Sequence, residues 1–312
     1  MRTAYFGPSG TFTEAALLDF VERGLAPGAD PLSLGSPQDV IEAVRQGTAR
    51  YGCVPIESTA DGSVAPTLDG LVAGSPVQIL AETQLSVSFS VILAPDVDPD
   101  KVATVAAYPV AAAQVRSWLG ARWPNAVIVP ASSNSAAALD AAEGRADAAV
   151  TTPIMARRLQ LREAQDGVAD HAGAKTRFVL VGTPQGPFPR TGSDRTAVAL
   201  RLAHAPGSLA NAMNHLALRD LDLIRIESRP TRNQPEPYWF FLDFVGHLDD
   251  PAVAEALKSL RQHAIEVFYL GSWSCESFGG TPGRPIGVAP QSDEDARAWV
   301  ANLRSPVLHG ED

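Results

Sequence analysis

The stretch RTAVALRLAHAPGSLANAMNHL, residues 195–216, decides the fold of the second half of the chain. Its first eight residues are mostly apolar or β-branched and predict a strand, Arg195 to Leu202. Pro206 and Gly207 then interrupt the strand pattern and open a helix. Apolar residues of that helix recur at the i, i+3, i+4 and i+7 spacing of one face: Leu209, Ala212, Met213 and Leu216. The stretch therefore predicts a strand followed by a helix with one buried face.

The residues that follow complete a β-α-β-β-α-β order between residues 194 and 270. Further strands are predicted at Leu223 to Glu227, Tyr238 to Val245 and Ile265 to Leu270. Before the last strand lies a predicted helix that Asp250 caps and Pro251 opens. This order is that of ferredoxin-like α+β domains, so we expect such a domain at residues 194–272. The tail, residues 273–312, predicts one short helix at Asp293 to Leu303.

Residues 1 to about 184 alternate short apolar strands with helical patterns, as in an α/β domain with a largely parallel sheet. The stretch Thr183 to Gly192 is dense in turn formers and predicts a linker after this domain. The predicted strands are Thr3 to Phe6, Tyr51 to Val54, Val77 to Leu93, Val102 to Ala106, Ala126 to Val129, Ala146 to Val150 and Arg177 to Val181. The predicted helices are Thr11 to Arg23, Pro37 to Gln46, Pro109 to Leu119 and Ser135 to Glu143.

The composition narrows the classes of function. Of the 312 residues, 45% are hydrophobic and 19% are charged, as in ordinary globular proteins. The net charge of -10 disfavours binding to nucleic acid or to anionic membranes. The two cysteines, Cys53 and Cys275, are too few for a disulfide framework, and no apolar run is long enough to span a membrane. We therefore expect a cytoplasmic protein that binds neither nucleic acid nor a membrane.

Patterns for metals and nucleotides are missing from the sequence. It has no GxGxxG after a strand, no GxxxxGK(S/T), no HExxH and no GxSxG. The six histidines show no ligand spacing. The sequence thus predicts no metal and no cofactor.

Polar side chains cluster at the ends of predicted strands, where open α/β sheets bind their ligands. The first cluster, Gly7 to Glu14, runs from a strand into a helix, and free N–H groups at the helix start can bind a carboxylate. A plain turn capped by Thr11 or Thr13 is the alternative. The second cluster, Val54 to Val64, carries hydroxyl groups that can bind carboxylate or carbonyl oxygens. A loop with Ser63 as a helix cap is its alternative.

The third cluster lies at the start of a later strand and consists of Thr176, Arg177 and Phe178. Arg177 is suited to a bidentate grip on a carboxylate. Phe178 can wall an apolar pocket, and Thr176 can donate a proton. The alternative is that these residues simply begin a strand.

These clusters in this order, followed by a ferredoxin-like domain, resemble the prephenate dehydratase family. Gly7 to Glu14 resembles the family's GPxGTFSE segment, Val54 to Val64 its VPIENSxxGxV segment, and Thr176 to Phe178 its TRF motif. In the second domain, Pro206 to Leu209 resembles the PGAL element and Glu227 to Pro230 the ESRP element of phenylalanine-binding ACT domains. Five motifs in one order make the resemblance specific.

The resemblance implies a two-lobed catalytic region at residues 1–184, similar to type II periplasmic binding proteins. Its lobes would be about residues 1–75 with 176–184, and residues 76–175, with the active site in the cleft between them. The implied activity is that of a carbon–oxygen lyase in phenylalanine biosynthesis. It removes carbon dioxide and water from prephenate to form phenylpyruvate, and it needs no cofactor.

The same resemblance implies the site residues one by one. Thr176 is the implied proton donor. The other implied catalytic positions are Arg177, Phe178, Glu57, Thr59 and Gln114, and those implied to bind substrate are Gly10, Thr11 and Ser58. The sequence departs from the family pattern at Ser58 and Thr59, where Asn and Ser are usual, and at Ala107 and Tyr108, where Ser and His are common.

The ACT resemblance implies a regulatory domain at residues 194–272 that binds phenylalanine between two copies of the domain. The implied effector-binding positions are Gly207, Ser208, Leu209, Glu227, Ser228, Arg229 and Pro230. A homodimer or homotetramer follows from this arrangement. Two alternatives stay open. One is dehydration of arogenate, which carries an amino group where prephenate has a keto group, and the other is a non-catalytic binding protein that senses amino acids.

Overall fold

The computed structural model describes residues 2–59, 62–170, 173–230, 238–275 and 292–304. Residues Met1–Ser277 form one compact unit and Phe278–Asp312 a second. The strands are β1 Arg2–Phe6, β2 Asp30–Leu34, β3 Tyr51–Ser58, β4 Gly62–Ser63, β5 Gln78–Ser86, β6 Ser90–Leu93, β7 Thr104–Ala107, β8 Val127–Pro130, β9 Ala148–Thr151, β10 Glu163–Asp166, β11 Lys175–Gly182, β12 Asp194–Arg201, β13 Leu223–Pro230, β14 Tyr238–Val245 and β15 Glu266–Ser274. The helices are α1 Phe12–Glu22, α2 Pro37–Arg45, α3 Ala65–Val72, α4 Pro109–Gln114, α5 Arg116–Arg122, α6 Asn134–Ala142, α7 Pro153–Leu159, α8 Ser208–Ala217, α9 Pro251–His263 and α10 Asp293–Arg304.

The second unit contributes one described element, the helix α10, and this confirms the helix predicted in the tail. Residues 276–291 and 305–312 of that tail lie outside the described residues. Across the described ranges, no helix combines the length and the apolar character that a membrane crossing requires.

The first lobe is built on a sheet with the strand order β2-β1-β3-β11-β5. Strand β1 runs parallel to β2 and β3, whereas β11 runs antiparallel to β3 and β5. Helices α1 and α2 begin after Thr11 and Ser36, whose hydroxyls accept N–H groups of the first turn. The sequence analysis does not predict β2, because the stretch Asp30–Leu34 contains a proline and polar residues; it forms an edge strand, where a proline is tolerated.

The second lobe is built on a sheet with the strand order β10-β6-β9-β7-β8. Strands β7, β8 and β9 are parallel, so their carboxyl ends lie at one edge. The single helix predicted at Pro109 to Leu119 is wrong in one respect. It is divided into α4 and α5 at Val115, whose φ of -122° and ψ of 15° are not helical. The short elements α7 and β10 in this lobe are further ones that the sequence analysis does not predict.

The two lobes are joined by two crossing segments, one directly after β5 and one between β10 and β11. The single strand predicted from Val77 to Leu93 is therefore two strands in different sheets, β5 and β6. The crossings run side by side, since the N–H of Val87 donates to the carbonyl of Ala174 (2.7 Å) and that of Val168 to the carbonyl of Phe89 (3.2 Å). The two-lobed arrangement expected from the sequence is present, but the expected lobe boundary at residues 75 and 76 is wrong, because β5 (Gln78–Ser86) pairs with β11 in the first-lobe sheet.

A third, antiparallel sheet has the order β13-β14-β12-β15 and confirms the predicted β-α-β-β-α-β order. We call residues 194–275 the C-terminal domain. One face of its sheet packs on α8 and α9 through residues such as Val198, Leu216, Leu242 and Leu260. The opposite face packs on the first lobe, where Trp239, Phe241 and Trp273 share one core with Ile56, Ile79 and Val179. The C-terminal domain is thus packed directly on the sheet that carries the predicted TRF motif.

This contact between two sheets makes a prediction for Gly271. Its φ is +134°, and a Cβ at this position would overlap the carbonyl oxygen of Ile79 in β5. Because backbone atoms cannot move aside like a side-chain tip, we expect Gly271→Ala to lower the free energy of unfolding by about 2–4 kcal/mol. Denaturant unfolding of the full chain measures this. Gly192→Ala is the control, since Gly192 also has a positive φ (+85°) but open space around it, so it should cost about 1 kcal/mol. Equal losses in the two variants would contradict the packing argument.

Candidate active site

The three predicted clusters lie at one edge of the first-lobe sheet. Strand β1, which precedes Gly7, is the neighbour of β3, and β3 is the neighbour of β11. In the antiparallel pairing of β3 with β11, Thr176 lies opposite Ser58 and Arg177 opposite Glu57. Residues that are far apart in the sequence therefore meet around the start of β11. Ala60 and Asp61 of the second cluster lie outside the described residues.

The N-terminus of α1 already holds a carboxylate, and it belongs to the chain itself. The Glu14 side chain reaches back to accept the N–H of Gly10, while the Thr11 hydroxyl accepts the N–H of Glu14 (3.4 Å). The Thr11 contact is the N-cap half of the capping box that a Thr-x-x-Glu sequence predicts, but Glu14 reaches the N–H of Gly10, one residue before the N-cap, instead of that of Thr11. The expectation that Gly10 and Thr11 offer free N–H groups to a substrate carboxylate is therefore corrected at Gly10, whose N–H is occupied.

The Gly7 to Glu14 loop is also a point where the two lobes touch. The Thr152 hydroxyl of the second lobe donates to the carbonyl of Gly10 (2.6 Å). The guanidinium of Arg158, on α7, binds the carboxylate of Glu14 (3.0 Å) and the hydroxyl of Ser9. Gly10 has a φ of +86°, and a Cβ there would overlap Met155. A glycine at this position allows the two lobes to approach this closely.

Next to this contact lies an open cavity of about 470 Å³, which we call the cleft cavity. Pro8 and Ser9 contribute from the first lobe, and the remaining walls come from α6, α7 and the residues before α6: Ser132, Ser133, Ser135, Ala136, Leu139, Met155, Arg158 and Leu159. It follows β8 and β9 at the carboxyl edge of the second-lobe sheet, the usual position of a ligand site in such sheets.

Two polar atoms beside the cleft cavity are buried without a hydrogen-bond partner: the Ser135 hydroxyl and the side-chain oxygen of Asn134. A hydroxyl without a partner inside the protein can donate to a molecule bound in the cavity. Arg158 adds a positive charge, with 41% of its side chain exposed. The sequence analysis missed these residues. The signal was available, because Ser132 to Ser135 is a polar cluster between a predicted strand and helix, as in the other three clusters.

The start of β11 is tied to the end of β3. The N–H of Thr59 donates to the carbonyl of Lys175, and the Thr59 hydroxyl accepts the N–H of Lys175, both at 2.9 Å. Thr176 follows directly, is partly buried and lies opposite Ser58. Thr59 thus holds the strand on which the predicted proton donor lies. The direct roles predicted for Thr59, Ser58 and Thr176 toward a substrate stay predictions.

Arg177 is not placed as the sequence analysis expected. Its guanidinium is buried and binds the carboxylates of Glu57 (3.0 Å), Glu82 (3.1 Å) and Asp243 (3.0 Å). Burial by itself would lower the pKa of Arg177, but Asp243, Glu82 and Glu57 raise it above its ordinary value. A guanidinium that already binds three carboxylates of the chain is not free for a bidentate grip on substrate, so that hypothesis is corrected.

The alternation of β11 explains this placement. Arg177, Val179 and Val181 face the C-terminal domain, whereas Phe178 faces α1 and packs with Leu17 and Phe20. Phe178 is therefore part of the first-lobe core and does not line the cleft cavity. Thr176 lies two residues before Phe178 in β11, so its side chain is on the same face of the sheet as Phe178 and on the opposite face from Arg177.

Gln114 is the last residue of α4 and is partly buried. Its carbonyl accepts the N–H of Asp170 (2.7 Å), which lies on the crossing segment that leads to β11. This places Gln114 near the hinge between the lobes, and its side-chain role stays a prediction.

The predicted effector residues are divided between two places. Ser208 and Leu209 line a small cavity of about 110 Å³ with Leu202, Tyr238 and Phe240, and Gly207 precedes them with a φ of +82°. Glu227 and Arg229 instead face the first lobe. Glu227 accepts the Ser63 hydroxyl (2.9 Å), and Arg229 binds the carboxylate of Asp69 (3.0 Å).

Within one chain these positions lie in two places, because alternate residues of β13 point to opposite faces of the sheet. Since the predicted pocket lies between two copies of the domain, their joint role in binding the effector stays a prediction. Ser228 and Pro230 are exposed on the other face. Ser63 is also not a helix cap, since Val64 occupies the N-cap position of α3 without a side-chain hydrogen bond.

Within the described ranges, no group of three or more His, Cys, Asp or Glu side chains is arranged to hold a metal ion. The cleft cavity, the hinge and the C-terminal domain instead define the class of protein. It is a two-lobed α/β protein with a cavity between its lobes and a ferredoxin-like domain packed on the first lobe.

Comparisons with known proteins identify the family. Residues 3–186 match the model of the prephenate dehydratase family. A prephenate dehydratase from Mycobacterium sp. (strain JLS) is 53% identical over 310 residues, which cover 97% of this chain and 96% of that protein. One from Mycolicibacterium smegmatis is 52% identical over 311 residues, covering 97% and 98%. A solved structure of an Arthrobacter aurescens prephenate dehydratase in complex with L-Phe superposes with a TM-score of 0.81 at 33% identity, covering 97% and 99%. The chain belongs to the prephenate dehydratase family, which confirms the resemblance seen in the sequence.

Proposed function

We propose that this protein is a prephenate dehydratase, which converts prephenate to phenylpyruvate, carbon dioxide and water in phenylalanine biosynthesis. The observation that carries the proposal is the family match over residues 3–186, a range that contains both lobes and the cleft cavity. In the reaction, the bond from the ring to its carboxylate breaks and its electron pair enters the ring. The ring C–O bond breaks at the same time, and the departing hydroxide takes one proton to leave as water.

This chemistry needs a group that binds the charged substrate and a group that donates a proton, and we assign both to named residues. Prephenate carries a ring carboxylate, which loses its charge during the reaction, and a side-chain carboxylate, which keeps it. A cation that binds the ring carboxylate would stabilise the ground state more than the transition state. We therefore assign Arg158, with the hydroxyls of Ser133 and Ser135, to the side-chain carboxylate. This assignment replaces the grip that the sequence analysis predicted for Arg177.

Proton donation to the leaving hydroxide is assigned to Thr176. It lies partly buried at the sheet edge where the three clusters meet, and Thr59 ties the preceding residue to the end of β3. A threonine is a weak acid, so the proton transfers in concert with C–O cleavage, when the developing hydroxide is a strong base. Thr176 then regains its proton from solvent water, so the net reaction takes up one proton from solvent, requires no external electrons and uses no cofactor.

The experiment that tests this function is the formation of phenylpyruvate from prephenate by the purified full chain without added metal or nucleotide. Turnover of prephenate supports the proposal. Turnover of arogenate but not prephenate would favour the arogenate alternative. Absence of both activities in a folded sample would favour the non-catalytic amino-acid sensor.

For the C-terminal domain we propose an ACT role, with phenylalanine as its effector. Support comes from the Arthrobacter relative, whose solved complex contains L-Phe, and from the cavity beside Gly207, Ser208 and Leu209. That cavity opens near the exposed residues of β13, which is an edge strand. A second copy of the domain can complete it there, so the proposal includes a homodimer or homotetramer. Light scattering should give a mass of two or four chains, and a monomer whose turnover ignores phenylalanine would contradict the proposal.

A further inference from the structure

The guanidinium of Arg177 joins the catalytic strand to the C-terminal domain. Arg177 directly follows Thr176 in β11, and its partner Asp243 lies in β14 of the C-terminal domain, 3.0 Å away. Both side chains are almost completely buried, with 7% and 4% exposed. A short ion pair therefore connects the residue next to the proposed proton donor with the domain proposed to bind the effector.

Asp243 is the central carboxylate of a larger buried cluster. Besides Arg177 it faces two arginines of its own domain, Arg195 (3.2 Å) and Arg225 (3.6 Å). Glu82 of β5 binds both Arg177 (3.1 Å) and Arg195 (3.5 Å). Burial by itself would raise the pKa of Asp243, but the three guanidinium groups lower it below its ordinary value. Asp243 is therefore ionised at neutral pH, and its carboxylate contacts guanidinium groups of both domains.

Further polar contacts between the domains end on other elements of the first lobe. Arg195 and Cys275 reach Glu82 of β5, and Arg225 lies beside Glu57 of β3. Glu227 binds Ser63, and Arg229 binds Asp69 on α3. The pairing of β11 with β3 shifts register between Arg177 and Phe178, where β3 has the extra residue Ile56, whereas the pairing with β5 is regular from Lys175 to Leu180. The hydrogen-bond ladder between β3 and β11 is therefore disrupted next to Arg177. Among these contacts, the one from Asp243 is directed at the catalytic strand.

We propose that Asp243 is a positioning residue for the reaction: it anchors Arg177 and thereby holds Thr176 in the geometry that proton transfer requires. The C-terminal domain then contributes to turnover even when no effector is bound. The proposal rests on the proposed function, since it takes Thr176 as the proton donor. A small displacement of a reacting group is sufficient to lower the rate, because about 1 Å of misplacement costs up to about a hundredfold.

The test is Asp243→Asn in the full chain, assayed with prephenate. We expect kcat to fall by about tenfold to a hundredfold, while KM changes by less than about threefold because Asp243 does not touch the cleft cavity. Asp69→Asn is the matched control. It removes an interdomain carboxylate that binds Arg229 and not Arg177, so its kcat should stay within about twofold of the unmodified protein. A folded Asp243→Asn protein with unchanged kcat would overturn the proposal.

A second variant covers the case in which an unbalanced buried charge prevents folding. Asp243→Asn combined with Arg195→Gln removes one negative and one positive charge, so the cluster stays balanced while Arg177 still loses its carboxylate partner in the C-terminal domain. We expect the same loss of kcat in this double variant. Circular dichroism establishes which variants are folded before kinetics are compared.

Hydrogen exchange of residues 175–182 gives a readout that does not depend on the reaction. We expect faster exchange in the Asp243 variants and no change in Asp69→Asn. If the unmodified chain does not turn over prephenate although this exchange difference is present, the proposed function fails and the anchoring of β11 by Asp243 stands. Unchanged exchange in folded Asp243 variants would overturn the anchoring itself.

Discussion

Replacing Thr176 with alanine is expected to lower kcat for prephenate by about a hundredfold or more, the range of general acid catalysis by one side chain. Alanine keeps the Cβ and the strand backbone but removes the hydroxyl that protonates the departing hydroxide. Because the side chain is only partly buried, the thermal unfolding temperature should change little. Initial rates of phenylpyruvate formation measure the effect.

Thr176→Ser is the control for this prediction. Serine retains the hydroxyl and loses only a methyl group, so its kcat should stay within about tenfold of the unmodified enzyme. Normal turnover in a folded Thr176→Ala protein would remove Thr176 from the mechanism. A serine variant as slow as the alanine variant would show that the methyl group, and so the packing of the strand, is the important feature.

The second large effect is expected for Arg158→Gln. Loss of a charge-assisted hydrogen bond to a carboxylate costs about 1.5–3 kcal/mol, which corresponds to a rise in KM of about tenfold to 150-fold. The effect on kcat should be smaller, because the side-chain carboxylate keeps its charge throughout the reaction. Steady-state kinetics with prephenate separate the two parameters.

Two controls distinguish substrate binding from the contact between the lobes. Arg157→Gln removes the neighbouring exposed charge of α7 and should leave KM within about twofold. Glu14→Gln weakens the bond from Arg158 to the first lobe but leaves the guanidinium in place. A rise in KM with Glu14→Gln as large as with Arg158→Gln would show that Arg158 acts by joining the lobes.

Much of the architecture was predictable from local sequence. The β-α-β-β-α-β order of the C-terminal domain follows from periodic apolar residues and from the Pro206–Gly207 and Asp250–Pro251 helix starts. The three polar clusters were also found in this way, because strand ends followed by polar residues mark the edge of a sheet. The N-cap at Thr11 was readable from the Thr-x-x-Glu spacing to Glu14, although the sequence analysis left the N-terminus open for a substrate.

Other features had no local signal. The edge strand β2 and the short helix α7 were missed because their segments are too short to show a period. The division of the predicted strand Val77 to Leu93 between two lobes was missed because the stretch contains no Gly, Pro, Asn or Asp to mark a boundary. Local pattern shows that a segment is buried, but it does not show in which sheet.

The sequence by itself determined the family, the order of the elements in the C-terminal domain and the residues gathered at the sheet edge, because these depend on motifs and on contacts between near neighbours. Only the tertiary structure decided the partners of Arg177. Its carboxylates come from positions 66, 95 and 120 residues away in the chain. Arg158 likewise meets Glu14 across 144 residues. Partners of a charged group are set by which sheet faces pack together, and that packing minimises unpaired buried charge over the whole fold.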